Sequence, residues 1–179
     1  MARIWFSSDP HFRHGNIIGY CNRPFADVNE MDWVMVDRHN KVVKPSDHWY
    51  CLGDLSMMRP RFVKEQVGAL NGHKRLIRGN HDIYRTREYL EIGFDEIYGV
   101  RVIDRIIFSH FPIHPSSLGT YVANVHGHIH QNDSPAPVEV DHPRLGKRIV
   151  PYINISVEKI NYTPVDLDWI KAEIERLSK

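Results

Sequence analysis

Short apolar runs that stop abruptly at polar residues set the pattern of this chain. Ile4-Trp5-Phe6-Ser7-Ser8 ends in Asp9-Pro10-His11, and Trp49-Tyr50-Cys51-Leu52 ends in Gly53-Asp54. Leu76-Ile77 runs into Arg78-Gly79-Asn80-His81-Asp82. Ile106-Ile107-Phe108-Ser109 ends at His110, and Val122-Ala123-Asn124-Val125 ends in His126-Gly127-His128-Ile129-His130. These runs are short, lack a helical period and are rich in β-branched and aromatic residues, so they predict strands. Asp, Asn or His stands at the C-terminal end of all five. Loops carried by a rigid scaffold are where chemistry concentrates.

Between the runs the period changes to that of helices. A short helix is expected over His14 to Tyr20, ended by Arg23-Pro24-Phe25. Asp27 and Glu30 form a capping-box pattern ahead of Met31, Val34, Met35, Arg38 and Val42 at helical spacing. A helix is predicted over Arg59 to Leu70 with Phe62, Val63, Val67 and Leu70 on its apolar face and Asn71-Gly72 as its stop. Lys74 to Arg78 is the third strand, and Tyr84 to Ile92 a helix stopped by Gly93. Glu96 to Ile107 holds two short strands, with Gly99 or Asp104 near the turn. Gln131 to Lys147, rich in Pro and polar residues, reads as a surface loop, and Ile149 to Val157 as a last strand. The final helix starts at Thr163-Pro164 or Asp166 and buries Leu167, Ile170, Ile174 and Leu177. The alternation of strand and helix predicts an α/β protein.

Composition narrows this. A length of 179 residues at 42% hydrophobic suits one domain, residues 1–179, with a real core. A net charge of +1 argues against a global basic field for nonspecific nucleic-acid binding. Cys21 and Cys51 are far apart, and Cys51 sits inside an apolar strand, so a buried reduced thiol is expected. No apolar run is long enough to span a bilayer, and the N-terminus lacks a signal-peptide pattern, so the expected location is cytoplasmic.

The strand-end residues carry the chemistry. Carboxylate, carboxamide and imidazole ligands suit Mn, Fe, Zn and related divalent ions, and no cysteine sits among them. Asp9, His11, Asp54, Asn80, His110, His128 and His130 supply the seven ligands that two ions sharing one carboxylate require. In an extended Asp-x-His segment both side chains point the same way, and each oxygen of Asp54 can take one ion. Two ions roughly 3.5–4 Å apart bind a phosphoryl group, acidify a water and stabilise in-line displacement. His81 is then the proton donor to the leaving oxygen, or a hydrogen-bond donor to phosphate. For His39, His48, His73 and His142 the expectation is a structural role; His14, His114 and His126 are candidates to line the cleft.

These blocks, in this order, resemble the calcineurin-like metallophosphoesterase superfamily, whose pattern is D-x-H, G-D, G-N-H-[DE], a lone H and G-H-x-H. The resemblance covers residues 9 to 130. Ser8 to Ile18, Cys21 to Phe25 and Asn161 to Val165 also resemble a compact bacterial and phage branch, which extends the resemblance, less specifically, to nearly the whole chain. It implies a four-layer α/β sandwich, two facing β-sheets flanked by helices. It implies one ion on Asp9, His11, Asp54 and His130, and another on Asp54, Asn80, His110 and His128, with His81 as catalytic histidine. The implied cofactor is a pair of divalent ions, Mn²⁺ first, with Fe, Zn, Ni or Co as alternatives. Met57 stands where the Ser/Thr protein phosphatases of this superfamily carry a second Asp, which argues against that activity. With little room for a cap domain the site is expected to be open. The reading is a phosphodiesterase acting on small or cyclic-nucleotide diesters such as 2′,3′-cyclic nucleotides. A nuclease, a phosphomonoesterase and a non-catalytic interaction module are the alternatives. Expected partners are a small phosphodiester or nucleotide, with nucleic acid as the alternative and no membrane. Arg13, Arg23 and Arg78 are candidate phosphate contacts, Arg23 foremost, together with Asn80 and His81.

Overall fold

The computed structural model describes residues 2–142 and 146–179. β1 (Ile4–Ser7) is followed by α1 (Asn16–Tyr20) and α2 (Val28–Val42). Asp27 caps α2, its carboxylate accepting the N–H groups of Asn29 and Glu30. Glu30 reaches back one residue further than a capping box would, to the N–H of Ala26. β2 (His48–Cys51) comes next. The helix expected over Arg59 to Leu70 is split into a 3₁₀ turn, Pro60–Phe62, and α3 (Lys64–Ala69). The hinge is Val63, whose φ of −113° and ψ of 13° leave the helical region. It turns Phe62 into solvent, 53% exposed, while Val63 and Val67 stay buried.

β3 (His73–Ile77), α4 (Thr86–Glu91) and β4 (Glu96–Tyr98) complete the first half. β5 (Val100–Ile103) and β6 (Ile106–Ser109) form an antiparallel hairpin. Its turn residues Asp104 and Arg105 both take positive φ, as tight hairpins require. β7 (Ala123–His126) ends the set of five predicted strands. The stretch expected to be a surface loop contains β8 (Val138–His142), which pairs with β9 (Gly146–Val150). Val138 and Val140 pack inward from β8, and this two-residue alternation outweighs the polar composition. The side chain of His142 lies outside the described residues. The strand expected from Ile149 to Val157 breaks at Pro151, which has no N–H to continue a ladder; β10 (Tyr152–Asn154) follows in another sheet. β11 (Val165–Asp166) leads into α5 (Leu167–Leu177), capped by Asp166.

The first sheet has the order β11-β1-β2-β3-β4 and the second β10-β7-β6-β5. Within these two sheets β11 and β5 run antiparallel to their neighbours and the other pairs of the described residues are parallel. Consecutive residues point to opposite faces. Trp5, Trp49 and Leu76 pack outward with Met31 and Met35 of α2, Val67 of α3 and Tyr89 of α4. Phe6, Tyr50 and Ile77 pack inward against Phe108, Val125 and Ile153 of the second sheet. Phe6 and Phe108 stack at 4.3 Å, so the two sheets face one another directly. α5 closes this inner core with Leu167, Ile170, Ile174 and Leu177. The 3₁₀ turn Pro115–Ser117 lies in the segment between β6 and β7. Leu118 of that segment and Val138 and Val140 of the β8–β9 hairpin pack with Ile107, Val150 and Tyr152 as the outermost layer. Parallel strands bring the C-terminal ends of β1, β2 and β3 to one edge, and those of β6 and β7 to the matching edge of the second sheet.

Candidate metal centre

The loops beyond these ends stay hydrogen-bonded to each other. The N–H groups of Asp9 and His11 donate to the carbonyls of Gly53 and Asp54, at 3.0 and 3.2 Å. The N–H of Gly127 donates to His110 O at 3.0 Å. The Asp9-Pro10-His11 segment is not extended, contrary to the sequence expectation: Asp9 has φ 59° and His11 φ 52°. Two left-handed turns, rather than strand alternation, aim both side chains inward. Asp54, His128 and His130 also have positive φ. Such backbone is costly for residues with a Cβ and gathers at functional sites. Gly79 and Gly127 pack where a Cβ would strike Asp54 and His110 in one case, Ser8 and Asp9 in the other.

All seven predicted ligands come together. The ligand atoms of Asp9, His11 and His130 lie within 4.8 Å of one another, as do those of Asp54, His110 and His128. Asp54 Oδ2 is the hub: it lies 3.4 Å from His110 Nε2, 3.7 Å from His11 Nε2 and 3.9 Å from His81 Nε2. Its other oxygen accepts the N–H of His81 at 2.9 Å, so a single oxygen, not one for each ion, faces both groups. Asn80 Oδ1 lies 3.0 Å from His110 Nε2.

The polar atoms at this centre suit a cation. Asp9 Oδ1 and His11 Nε2 are buried without a hydrogen-bond partner among the described residues. His110 Nδ1 sits 2.8 Å from Leu52 O. Its Nε2 faces Asp54 Oδ2 and Asn80 Oδ1, both oxygens that accept. Acceptors facing acceptors in a buried space call for a positive ion between them. Burial pushes the Asp54 carboxyl up, but the hydrogen bond and charge of His110 and the His81 N–H bring it down to about 2. Burial also drives His11 down to about 3, which keeps its ring neutral. Burial lowers His110, and its hydrogen bond to Asp54 and the charge of Asp9 outweigh that and raise it. Burial raises Asp9, and against the pull of burial the Glu158 hydrogen bond raises His130. Anionic carboxylate and neutral imidazole are the forms that ligate a divalent ion, so an ion binding here would displace protons.

His81 Nε2 faces the same hub from a side chain 38% exposed, the most open of the histidines around Asp54 Oδ2. His14 lines the cleft, its Nδ1 3.4 Å from His11 Nδ1. His126 does not: it is fully buried and bonded to Gly127 O. His114 lies on the exposed 3₁₀ turn, where it caps Ser116.

Arg23 is a correction. It does not face the opening at all; its side chain is fully buried and paired with Glu158 at 2.7 Å. It also donates to the carbonyls of Asp9 and Pro10, both at 2.8 Å. Arg13 turns toward Asn29 of α2, and Arg78 bonds Tyr84 O and stacks on Tyr89.

Three supporting residues escaped the sequence reading. Asp82 accepts the N–H groups of Asp54, Leu55 and Gly79, tying two ligand loops together. Its signal was its place in the Gly79-Asn80-His81-Asp82 block. Ser156 Oγ lies 2.9 Å from Asp9 Oδ2, and Glu158 Oε1 lies 3.1 Å from His130 Nδ1. Neither carried a local signal, since Glu158 stands 28 residues from its partner.

Comparison with known proteins agrees with this geometry. An uncharacterised protein of Methanocaldococcus jannaschii is 38% identical over 184 aligned positions, covering 98% of this chain and 93% of that one. The Gene 66 protein of Mycobacterium phage L5 is 36% identical over 88 positions, 46% of this chain and 41% of its own length. A solved structure, a protein of unknown function from Aquifex aeolicus, superposes with a TM-score of 0.73 at 28% identity, covering 97% of this chain and all of that one. The Pseudomonas putida nuclease MPE shares the fold, with a TM-score of 0.50, 16% identity and coverage of 82% and 83%. The calcineurin-like phosphoesterase family matches residues 2–170. Two facing sheets, five loops that gather Asp, Asn and His at their shared edge and a match over nearly the whole length make this chain a member of the calcineurin-like phosphoesterases, metal-dependent hydrolases of phosphate esters.

Proposed function

We propose that the protein is a dinuclear phosphodiesterase that hydrolyses small or cyclic-nucleotide diesters, such as 2′,3′-cyclic nucleotides, in the cytoplasm. The observation that carries this reading is the pair of ligand groups that meet at Asp54 Oδ2. Asp9, His11, Asp54 and His130 would hold one ion, and Asp54, Asn80, His110 and His128 the other, with Mn²⁺ expected and Fe, Zn, Ni or Co as alternatives. Bound there, the ions supply activation of water and of the phosphoryl oxygens. Asn80 and His81 flank the opening as substrate contacts. His81 Nε2 is poised to give a proton to the departing oxygen.

The diester preference rests on the arginines. Arg13, Arg23 and Arg78 are each engaged away from the hub, so none offers the extra charge a monoester dianion requires. Protein reloaded with Mn²⁺ should cleave bis(p-nitrophenyl) phosphate faster than p-nitrophenyl phosphate. His81→Ala should lower turnover of a 2′,3′-cyclic nucleotide by about 10²–10⁴-fold with metal content unchanged. It should affect bis(p-nitrophenyl) phosphate far less, because p-nitrophenolate leaves without a proton. A faster monoester reaction, or full cyclic-nucleotide turnover by His81→Ala, would overturn this assignment.

A nuclease is the second reading. A cleft of about 640 Å³ lined by Arg59, Tyr84, Arg85 and Arg87, and also by Glu88 and Glu91, opens close beyond His81. The Arg59 guanidinium lies 5.6 Å from the Tyr84 ring centroid. Guanidinium and aromatic faces suit single strands, and a nuclease shares the fold. Intact single-stranded RNA and DNA under conditions that hydrolyse small diesters would remove it.

A further inference from the structure

Arg23, its side chain fully buried, forms an ion pair with the nearly buried carboxylate of Glu158 immediately behind the Asp9 group. Arg23 Nε and Nη2 both donate to Glu158 Oε1, at 2.9 and 2.7 Å. Nη2 also reaches Asp9 O, and Nη1 reaches Pro10 O, each at 2.8 Å. One guanidinium therefore spans a carboxylate and two successive carbonyls, a pattern that its rigid fork of donors fits and a lysine does not. The carbonyls are those of the left-handed Asp9 and its neighbour.

Glu158 Oε1 in turn lies 3.1 Å from His130 Nδ1. Arginine has only donors, so the carboxylate it holds is an acceptor. The proton of a neutral His130 ring is then on Nδ1, and the lone pair on Nε2. We infer that Glu158 and Arg23 are positioning residues for one half of the metal centre, Glu158 selecting the tautomer of His130 and Arg23 fixing the turn that presents Asp9. The inference rests on the metal centre of the proposed function.

Cys21, His130 and Glu158 also lie close enough to be ligands of a separate ion. The guanidinium already supplies the positive charge there, 2.7 Å from Glu158, and a second cation beside it would be repelled. The brace reading accounts for the same cluster without that conflict.

The test separates positioning from folding. In metal-free protein at a pH alkaline enough to leave the ring neutral, ¹⁵N NMR of the imidazoles should report His130 protonated on Nδ1 and not on Nε2, and Glu158→Gln should shift it to a mixture of tautomers. Calorimetric Mn²⁺ titration of Glu158→Gln should show one ion weakened by about 10–100-fold and the other unchanged. Glu158→Gln leaves Arg23 buried and unpaired, so the double variant R23Q/E158Q, which removes both charges, should fold better and show the same one-ion loss. An unchanged tautomer, normal affinity for both ions, equal weakening of both, or loss of fold in both variants would overturn the inference. Failure of the wild-type protein to bind two ions would sink the metal centre instead, while the tautomer measurement would still report on the brace.

Discussion

The two halves of the centre are held in place by different means. The Asp54–His110–His128 half rests mainly on main chain, with the Asp82 carboxylate tying its loops together. His110 is fixed by the carbonyl of Leu52, and Asp54 by the His81 N–H, within loops that follow strand ends directly. The Asp9–His11–His130 half rests on charged and hydroxyl side chains from elsewhere: Glu158 behind His130, Arg23 behind Asp9, Ser156 beside it. Ligands held by backbone need no particular partner residue. Ligands held by side chains depend on residues that can each be removed by substitution. The second kind of support is therefore the one mutation can dissect, and each change below is aimed at the contrast.

The largest effect should come from the atom both halves share. Asp54 Oδ2 is within 4 Å of histidines from each group, so Asp54→Asn should abolish stoichiometric binding of both ions and reduce hydrolysis to the blank. Elemental analysis and Mn²⁺ titration check this. One tightly held ion remaining on Asp9, His11 and His130 would show that the halves are independent.

Two glycines sharpen the comparison. A Cβ on Gly79 would meet Asp54 N at 2.6 Å and His110 Cε1 at 2.9 Å, and backbone cannot step aside. A Cβ on Gly127 would meet side-chain atoms of Ser8 and Asp9. Gly79→Ala should cost about 1–3 kcal/mol of stability and weaken both ions, because it displaces the hub. Gly127→Ala should cost less and weaken only the ion at Asp9. Thermal melts and Mn²⁺ titrations of the pair decide it; the reverse order of severity would mean that the second half is the more adaptable one.

The contrast also explains what the sequence could reveal. Five strands and the Asp, Asn and His residues gathered at their ends were legible because parallel strands with apolar runs must end at one edge, and polar residues at that edge are conspicuous. The backbone-held half follows largely from these motifs, although the role of Asp82 inside its own block went unread. The brace was illegible. Arg23 in an Arg-Pro-Phe turn looks like any surface cation, and its partner lies 135 residues away. Its assignment to phosphate failed because a sequence does not show which way a long side chain turns. The β8–β9 hairpin was missed for a related reason: Pro and polar residues around it masked the alternation of Val138 and Val140. The left-handed turns at Asp9 and His11 were equally hidden, since nothing in Asp-Pro-His distinguishes them from an extended segment.

The smallest effect should come from Ser156. Its Oγ is 2.9 Å from Asp9 Oδ2 and 2.7 Å from Asn154 Oδ1, and a single hydroxyl proton serves one of them at a time. The Ser156 N–H already donates to Asn154 Oδ1 at 2.9 Å, which leaves the hydroxyl proton for the carboxylate. Ser156→Ala leaves Asp9 Oδ2 with the N–H of His128 as its remaining donor. The lost hydrogen bond is worth about 1 kcal/mol, a fall in Tm of about 2–4 °C for a chain of this size. Affinity for the ion at Asp9 should fall by a small factor, while the ion at His110 and His128 is untouched, since the hydroxyl touches only the Asp9 side. A drop shared equally by both ions would mean that Asp9 and Asp54 move as one unit, and that the two means of support act on a single rigid centre.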